Sequence, residues 1–338
     1  MQTVATPLRH RRVLVVSGLA ALLVLTALVS LAVGARPIGV GAVWQALWTP
    51  SGTEEDVIVR GLRVPRTVLG VAVGLALGVA GALMQGHTRN PLADPGLLGV
   101  SAGAALAVVI GIYAFGVTTL LGYVWFAFAG AFAASVAVFV LGSLGPGGAS
   151  PVSLALAGVA VTALLGALTS AIVLVDVSTL DAYRFWAVGA LAGRGPDVAL
   201  QVAPFVLSGL VIGLAGAPGL NLLALGDDVA RGLGQNVTLV RWSGLVAITL
   251  LTGSAVAACG PIAFLGLVVP HIARALTGPD HRWLLPAAGL TGAVLLLGAD
   301  IVGRVVARPG ELQVGIVLAL IGAPFFIALV RRRRLVAL

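Results

Sequence analysis

Four histidines, one cysteine and twelve carboxylates are the residues of this 338-residue chain that could carry acid–base, nucleophilic or metal chemistry. Their spacing supports none of the three. His10, His87, His271 and His281 lie far apart, with no H-x-x-x-H or H-E-x-x-H pair to hold a metal. Cys259 stands alone, so it closes no internal disulfide and belongs to no Cys/His ligand set. No G-x-S-x-G elbow occurs, and no apolar stretch contains a carboxylate pair. All 20 basic residues are arginine. A chain without lysine contains no G-x-x-x-x-G-K-[S/T] loop, whose lysine reaches the nucleotide phosphates. The sequence therefore predicts no bond chemistry, no cofactor and no metal, and it places any ATP-driven step in another subunit.

Ion coupling is the next chemistry to weigh. A proton-driven carrier keeps an ionisable residue near the bilayer centre. Asp300 is the best placed, but it is expected near a membrane surface, paired with Arg304 one helical turn on. Asp176 and Asp181 follow an apolar run instead of interrupting it. A secondary transporter and an intramembrane enzyme stand as alternatives from other classes, each without its usual residues.

The elements that must position these side chains are membrane helices. The chain is 59% hydrophobic and only 9% charged, with a mean hydropathy of +1.10, and a soluble domain carries about 25% charged residues. A span needs about 20 mostly apolar residues. That ruler predicts an all-α, polytopic fold of about ten spans: 13–33, 64–84, 97–115, 122–141, 154–175, 198–217, 240–259, 264–276, 283–305 and 312–330. The eighth is short and contains Pro270. The first, preceded by Arg9, Arg11 and Arg12, is too long for a signal-peptide core and reads as an uncleaved span. With Arg331 to Arg334 after the last span, the positive-inside rule places both termini in the cytoplasm. The whole chain, 1–338, reads as one membrane domain with cytoplasmic segments at 1–12, 218–238 and 331–338. The net charge of +8 is scattered between apolar runs, so it reads as topology and lipid contact, not nucleic-acid binding.

Two patterns refine this organisation. Gly70, Gly74 and Gly78, and likewise Gly209 and Gly213, recur every four residues, giving small faces on which helices approach closely. The stretch Pro91–Leu98 also matches Pro261–Val268 in the pattern P-[L/I]-A-x-x-G-L-[L/V]. An odd number of predicted spans separates the copies, which predicts an inverted repeat of spans 2–5 and 7–10. One feature runs against the positive-inside rule: Arg60, Arg63, Arg66, Arg184, Arg194, Arg304 and Arg308 fall outside, so they need acidic partners there.

The runs Leu62-Arg-Val-Pro-Arg-Thr67, Gly81-Ala-Leu-Met-Gln85 and Arg89-Asn-Pro-Leu-Ala-Asp-Pro-Gly-Leu-Leu-Gly-Val-Ser-Ala-Gly103 closely resemble the FecCD-type permeases of bacterial ABC importers. So do Leu220–Gly234, Gly260–Arg274, Glu311–Gly315 and Gly322–Phe325, so the resemblance covers nearly the whole chain in order.

The resemblance implies an inner-membrane permease subunit for ferric siderophores, haem or cobalamin. Its partners would be two cytoplasmic ATP-binding subunits, a second permease subunit and an extracytoplasmic substrate-binding protein. It places Arg63, Arg66 and Arg304 opposite acidic residues of the binding protein, with Arg60 and Arg308 as lesser contacts; the plain alternative is lipid snorkelling or pairing with Glu311. It makes Leu225, Gly226, Asp227, Asp228, Ala230, Leu233 and Gly234 the segment that couples to the ATPase. There Asn221 is expected to cap a first short helix, Gly226 to break the chain, and the two aspartates to begin a second. An ordinary interfacial helix is the alternative. It puts a cytoplasmic gate at Asn90 and Leu92, with Ser150, Val152 and Ser153 opposite. Pro151 and Val152 depart from the small polar pair usual there, and Asn90 is equally readable as a helix C-cap before Pro91.

Overall fold

The computed structural model describes residues 5–331 apart from 35, 118 and 145–150; Ser150, residues 1–4 and residues 332–338 lie outside it. Each predicted span falls on a helix: α1 (Ala5–Ala32), α4 (Val64–Thr88), α5 (Val100–Phe115), α6 (Leu120–Ser143), α7 (Pro151–Val175), α9 (Pro196–Ala215), α12 (Val237–Cys259), α13 (Leu265–Thr277), α14 (His281–Val306) and α15 (Val314–Arg331). Seven of these are long and apolar enough to cross a membrane; α5, α13 and the described part of α15 are shorter. Helices follow because a chain in lipid must satisfy its backbone hydrogen bonds within each segment.

Short helices that hydropathy does not mark fill the connections: α2 (Val40–Trp48), α3 (Glu54–Val57), α8 (Val177–Ala187), α10 (Ala217–Leu223) and α11 (Asp227–Gly232). Two of them, α3 and α8, are marked by side-chain caps. Thr53 and Asp56 form a reciprocal capping box on α3, and Asp176 accepts from the Thr179 amide at the start of α8. A π-helical stretch, Ile58–Arg63, leads into α4.

Burial sorts the helices. α4, α12 and α14 form the interior, whereas α1, α6, α7 and α9 leave most of their apolar surface uncovered, as lipid-facing helices do. The glycine stripe of α4 explains its central place. A Cβ on Gly74 would lie 2.4 Å from Ala293 Cα, and one on Gly78 only 2.2 Å from the Ala288 carbonyl, both on α14. Gly292 returns the contact: a Cβ there would lie 2.3 Å from the Gly74 carbonyl oxygen. Backbone-on-backbone packing of this kind supplies dispersion where lipid offers no hydrophobic drive. Gly209 and Gly213 do something different, admitting the side chains of Leu251 and Leu83.

The two halves of the sequence echo meet. Asp94 accepts from the Gly96 amide, starting a 3₁₀ turn over Pro95–Leu98 ahead of α5. The second copy is irregular up to Phe264, which adopts a left-handed φ of 67°, and only then becomes α13. Gly266 packs against Pro95 and Asp94, where a Cβ would sit 2.8 Å from the proline ring. Such irregular backbone is tolerated where protein surrounds it.

Candidate functional site

At one end of the bundle, arginines close the C-terminus of α1. The last carbonyls of a helix lack intrahelical donors and carry partial negative charge. Arg63 donates to the Leu31 and Ala32 carbonyls (both 2.7 Å) and to that of Arg36. Arg304 donates to the carbonyls of Ser30 (2.9 Å) and Val33 (3.0 Å) and to the Ser30 hydroxyl (2.7 Å). Arg308 reaches the Gly34 carbonyl at 2.7 Å. A Cβ on Gly34 would press within 2.9 Å of the Arg63 guanidinium, so glycine leaves room for that cap.

Asp300 ties the cluster together. Only 1% exposed, it pairs with Arg66 at 2.8 Å and with Arg304 at 3.0 Å, the expected i, i+4 pairing. Arg66 also reaches Glu311 at 2.7 Å. Arg63 and Arg66 of the sequence motif, and Arg304, thus already have partners within the chain, and the acidic groups that the positive-inside rule demanded include Asp300 and Glu311. Arg63, Arg66, Arg304 and Glu311, with Arg36 and Arg194, line a cavity of about 540 Å³. Arg60 is exposed and touches the Leu47 carbonyl at 3.3 Å.

At the other end lie α10 and α11. Gly226, at φ 110°, breaks the chain between them as expected. Asn221 does not cap α10: it lies inside that helix and braces α14, accepting from the His281 amide (2.9 Å) and donating to Asp280 (2.7 Å). Gly216 occupies the cap with Pro218 behind it, so the helix starts earlier and Asn221 is freed for the longer reach. On α11 and beside it, Leu225, Val229 and Leu233 are exposed, Gly234 is exposed, and Ala230 is fully buried.

The adjacent carboxylates diverge. Asp228 is 99% exposed and meets only Arg231 of its own helix, at 3.1 Å. Asp227 turns inward, accepting from Arg241 of α12 at 2.7 Å and from Arg89 at the end of α4. Burial works to raise the Asp227 pKa, but the charges and hydrogen bonds of Arg241 and Arg89 prevail and hold it below the ordinary carboxylate range.

Beside this end, Asn90 and Val152 line one cavity of about 340 Å³ with Thr88 and Leu156, so the two proposed halves of the gate are brought together. The Asn90 side chain accepts from the Leu92 amide at 2.9 Å. It is therefore no C-cap of α4; Arg89 holds that place in a left-handed conformation. Leu92 is half-buried. Ser153 lies in the first turn of α7 beside Val152 and is also half-buried.

A family model described as the FecCD transport family matches residues 22–332. The chain belongs to the FecCD transport family. It is similar to the ferric enterobactin transport system permease protein of Escherichia coli, 48% identical over 322 residues, covering 95% of this chain and 96% of the relative. The hemin transport system permease protein of Yersinia pestis is 41% identical, covering 91% and 95% respectively. A solved inward-facing metal-chelate type ABC transporter superposes with a TM-score of 0.82 at 31% identity, over 94% of this chain and 98% of that one. This FecCD-type chain is a permease subunit of an ABC importer, a transport component and not an enzyme.

Several residues of the permease escaped sequence reasoning. That Arg63, Arg304 and Arg308 cap α1 has a local signal only in Gly34 and the missing charge at the α1 C-terminus. Arg89 and Arg241 as the partners of Asp227 had none, because 138 residues separate Arg89 from its carboxylate. Among the described residues, no group of His, Cys, Asp or Glu is placed to hold a metal ion.

Proposed function

We propose that this permease carries a ferric siderophore across the inner membrane by alternating access, through ten spans arranged as an inverted repeat with both termini cytoplasmic. Paired with a second permease subunit, it is driven by two ATP-binding subunits and supplied by an extracytoplasmic binding protein. The observation that carries the mechanism is the uncovered apolar face of the α10–α11 segment. Leu225, Val229 and Leu233 are exposed beside the fully exposed Asp228, at the end opposite the arginine cluster. A short stiff helix with an apolar face transmits rigid-body motion when it lies in a partner's groove.

The docking role of Arg63, Arg66 and Arg304 takes a modified form. Held by internal pairs, they shape and charge the wall of the 540 Å³ cavity, while exposed Arg60 offers a guanidinium fork to incoming carboxylates and Arg36, paired with Glu54 at 2.7 Å, would have to exchange that partner. The gate is proposed at Asn90 and Leu92 against Val152 and Ser153. The siderophore assignment rests on the similarity to the enterobactin permease, with haem and cobalamin as the competing cargoes.

Reconstitution of the permease with its ATPase and binding protein tests the reading. Uptake of iron-55 ferric enterobactin is expected to require ATP and to survive a protonophore. Uptake abolished by the protonophore, with ATP irrelevant, would sink it; hemin or cobalamin uptake in its place would keep the mechanism and change the cargo.

A further inference from the structure

We propose that Asp227 is an internal joint through which the coupling segment moves the gate, and not a contact for the ATPase; this rests on the function proposed above. The juxtaposition that carries it is the carboxylate at the start of α11, shared between Arg89 at the end of α4 and Arg241 on α12. One oxygen serves each arginine. Asp228, next in sequence, makes no contact outside its own helix among the bonds described. The two aspartates therefore have different work: both oxygens of Asp227, whose side chain is 27% exposed, are already taken by arginines of this chain.

Arg89 is the informative end of the joint. It closes α4 with φ 47° and ψ 33°, a left-handed conformation that costs a non-glycine residue of order 1 kcal/mol and that glycine adopts freely. A helix C-terminus ordinarily resolves this with glycine. The arginine brings something glycine lacks, a guanidinium that reaches α11. Immediately after it, the chain is held again. The Ala93 amide donates to the Asn90 carbonyl (3.1 Å), the Asn90 side chain accepts from the Leu92 amide, and the Pro91 carbonyl meets His271 Nε2 of α13 at 2.9 Å. Residues 89–93 thus form a short stiff turn fixed to the coupling segment at one end and to α13 in its middle. Displacement of α11 pulls Arg89, and Asn90 moves with it against Val152 across their shared cavity. A flexible loop would absorb that motion; this turn has little slack to do so.

The experiment reads gate motion without needing the cargo. Val152→Cys is introduced into the full importer, where buried Cys259 is silent toward a water-soluble maleimide. Labelling rates are compared without nucleotide and with ATP plus vanadate. The wild-type background is expected to show a nucleotide-dependent change. Asp227→Asn should shrink that change at least fivefold while the ATPase stays bound. Arg89→Gly separates this from a folding role: it relieves the left-handed strain, so the protein should melt no lower, yet lose the response. A response within twofold of wild type in both variants would overturn the joint, as would a wild-type rate indifferent to nucleotide. Loss of the ATPase from Asp227→Asn would overturn it by making Asp227 a docking contact. A wild-type chain that binds no ATPase would bring down the parent reading as well, and shows itself at the first purification.

Discussion

Replacing Asp300 by alanine probes the ion cluster at its centre. The carboxylate is buried and receives three hydrogen bonds from Arg66, at 2.8, 3.1 and 3.2 Å, besides the Arg304 pair. Its removal leaves two guanidinia short of a counter-charge, and breaking a buried pair from one side costs about 3–5 kcal/mol. The lower part of that range is expected, because Arg304 keeps its α1 carbonyls and Arg66 keeps Glu311. Glu311→Gln is the control: that side chain is 33% exposed and makes one ion pair, worth about 1 kcal/mol or less. The assay is thermal unfolding in detergent, followed by a thiol-reactive dye on Cys259, which is buried in the native state and becomes accessible on unfolding. Asp300→Ala should melt roughly 4–6 °C lower, and Glu311→Gln within about 2 °C of wild type. Equal melting of the two variants would refute the claim that Asp300 holds the end of α1 in place. Unchanged melting with lost transport would instead point to the proton-relay role that the sequence made unattractive.

Other outcomes follow from the same geometry. Gly78→Ala forces a methyl into the α14 backbone and should destabilise by about 1–3 kcal/mol, whereas Gly166→Ala, with nothing within 4 Å, should be neutral or stabilising by up to about 1 kcal/mol in the same melt. Val229→Asp with Leu233→Asp should cut recovery of the ATPase in a pulldown by roughly tenfold (about 1.4 kcal/mol) without lowering the melting point. Cysteines at Asn90 and Val152 should be joined by a bifunctional thiol reagent in the native protein, and failure to join would remove the shared cavity. Because the Asp227 pKa is depressed in the folded protein, its contribution is complete above the ordinary carboxylate value of 3.8 and is lost only as pH falls through the lower native value. The maleimide response should therefore be flat from about pH 8 to 5 on carboxylate titration alone, and a loss centred between pH 5 and 6 would contradict the assigned partners.

Whatever depends on neighbours along the chain was legible without a structure. Hydropathy places the membrane helices because each segment in lipid must satisfy its own backbone, a requirement read over about 20 consecutive residues. The break at Gly226 and the Asp300–Arg304 pairing were legible for the same reason, one needing a positive φ and the other a single helical turn. The motifs pointed to the family because their order spans the chain. Tertiary structure alone decided which charges meet. Arg63 and Arg304 find the carbonyls of α1 across more than 30 and 270 residues, and Asp227 finds Arg89 across 138. Asn221 looked like a cap and became a brace to α14, because a helix start one turn earlier freed its amide. Two adjacent aspartates with identical local chemistry point in opposite directions. Ion pairs and caps between distant segments depend on which helices lie side by side, and that is settled by glycine faces fitting against a backbone, which no local pattern specifies.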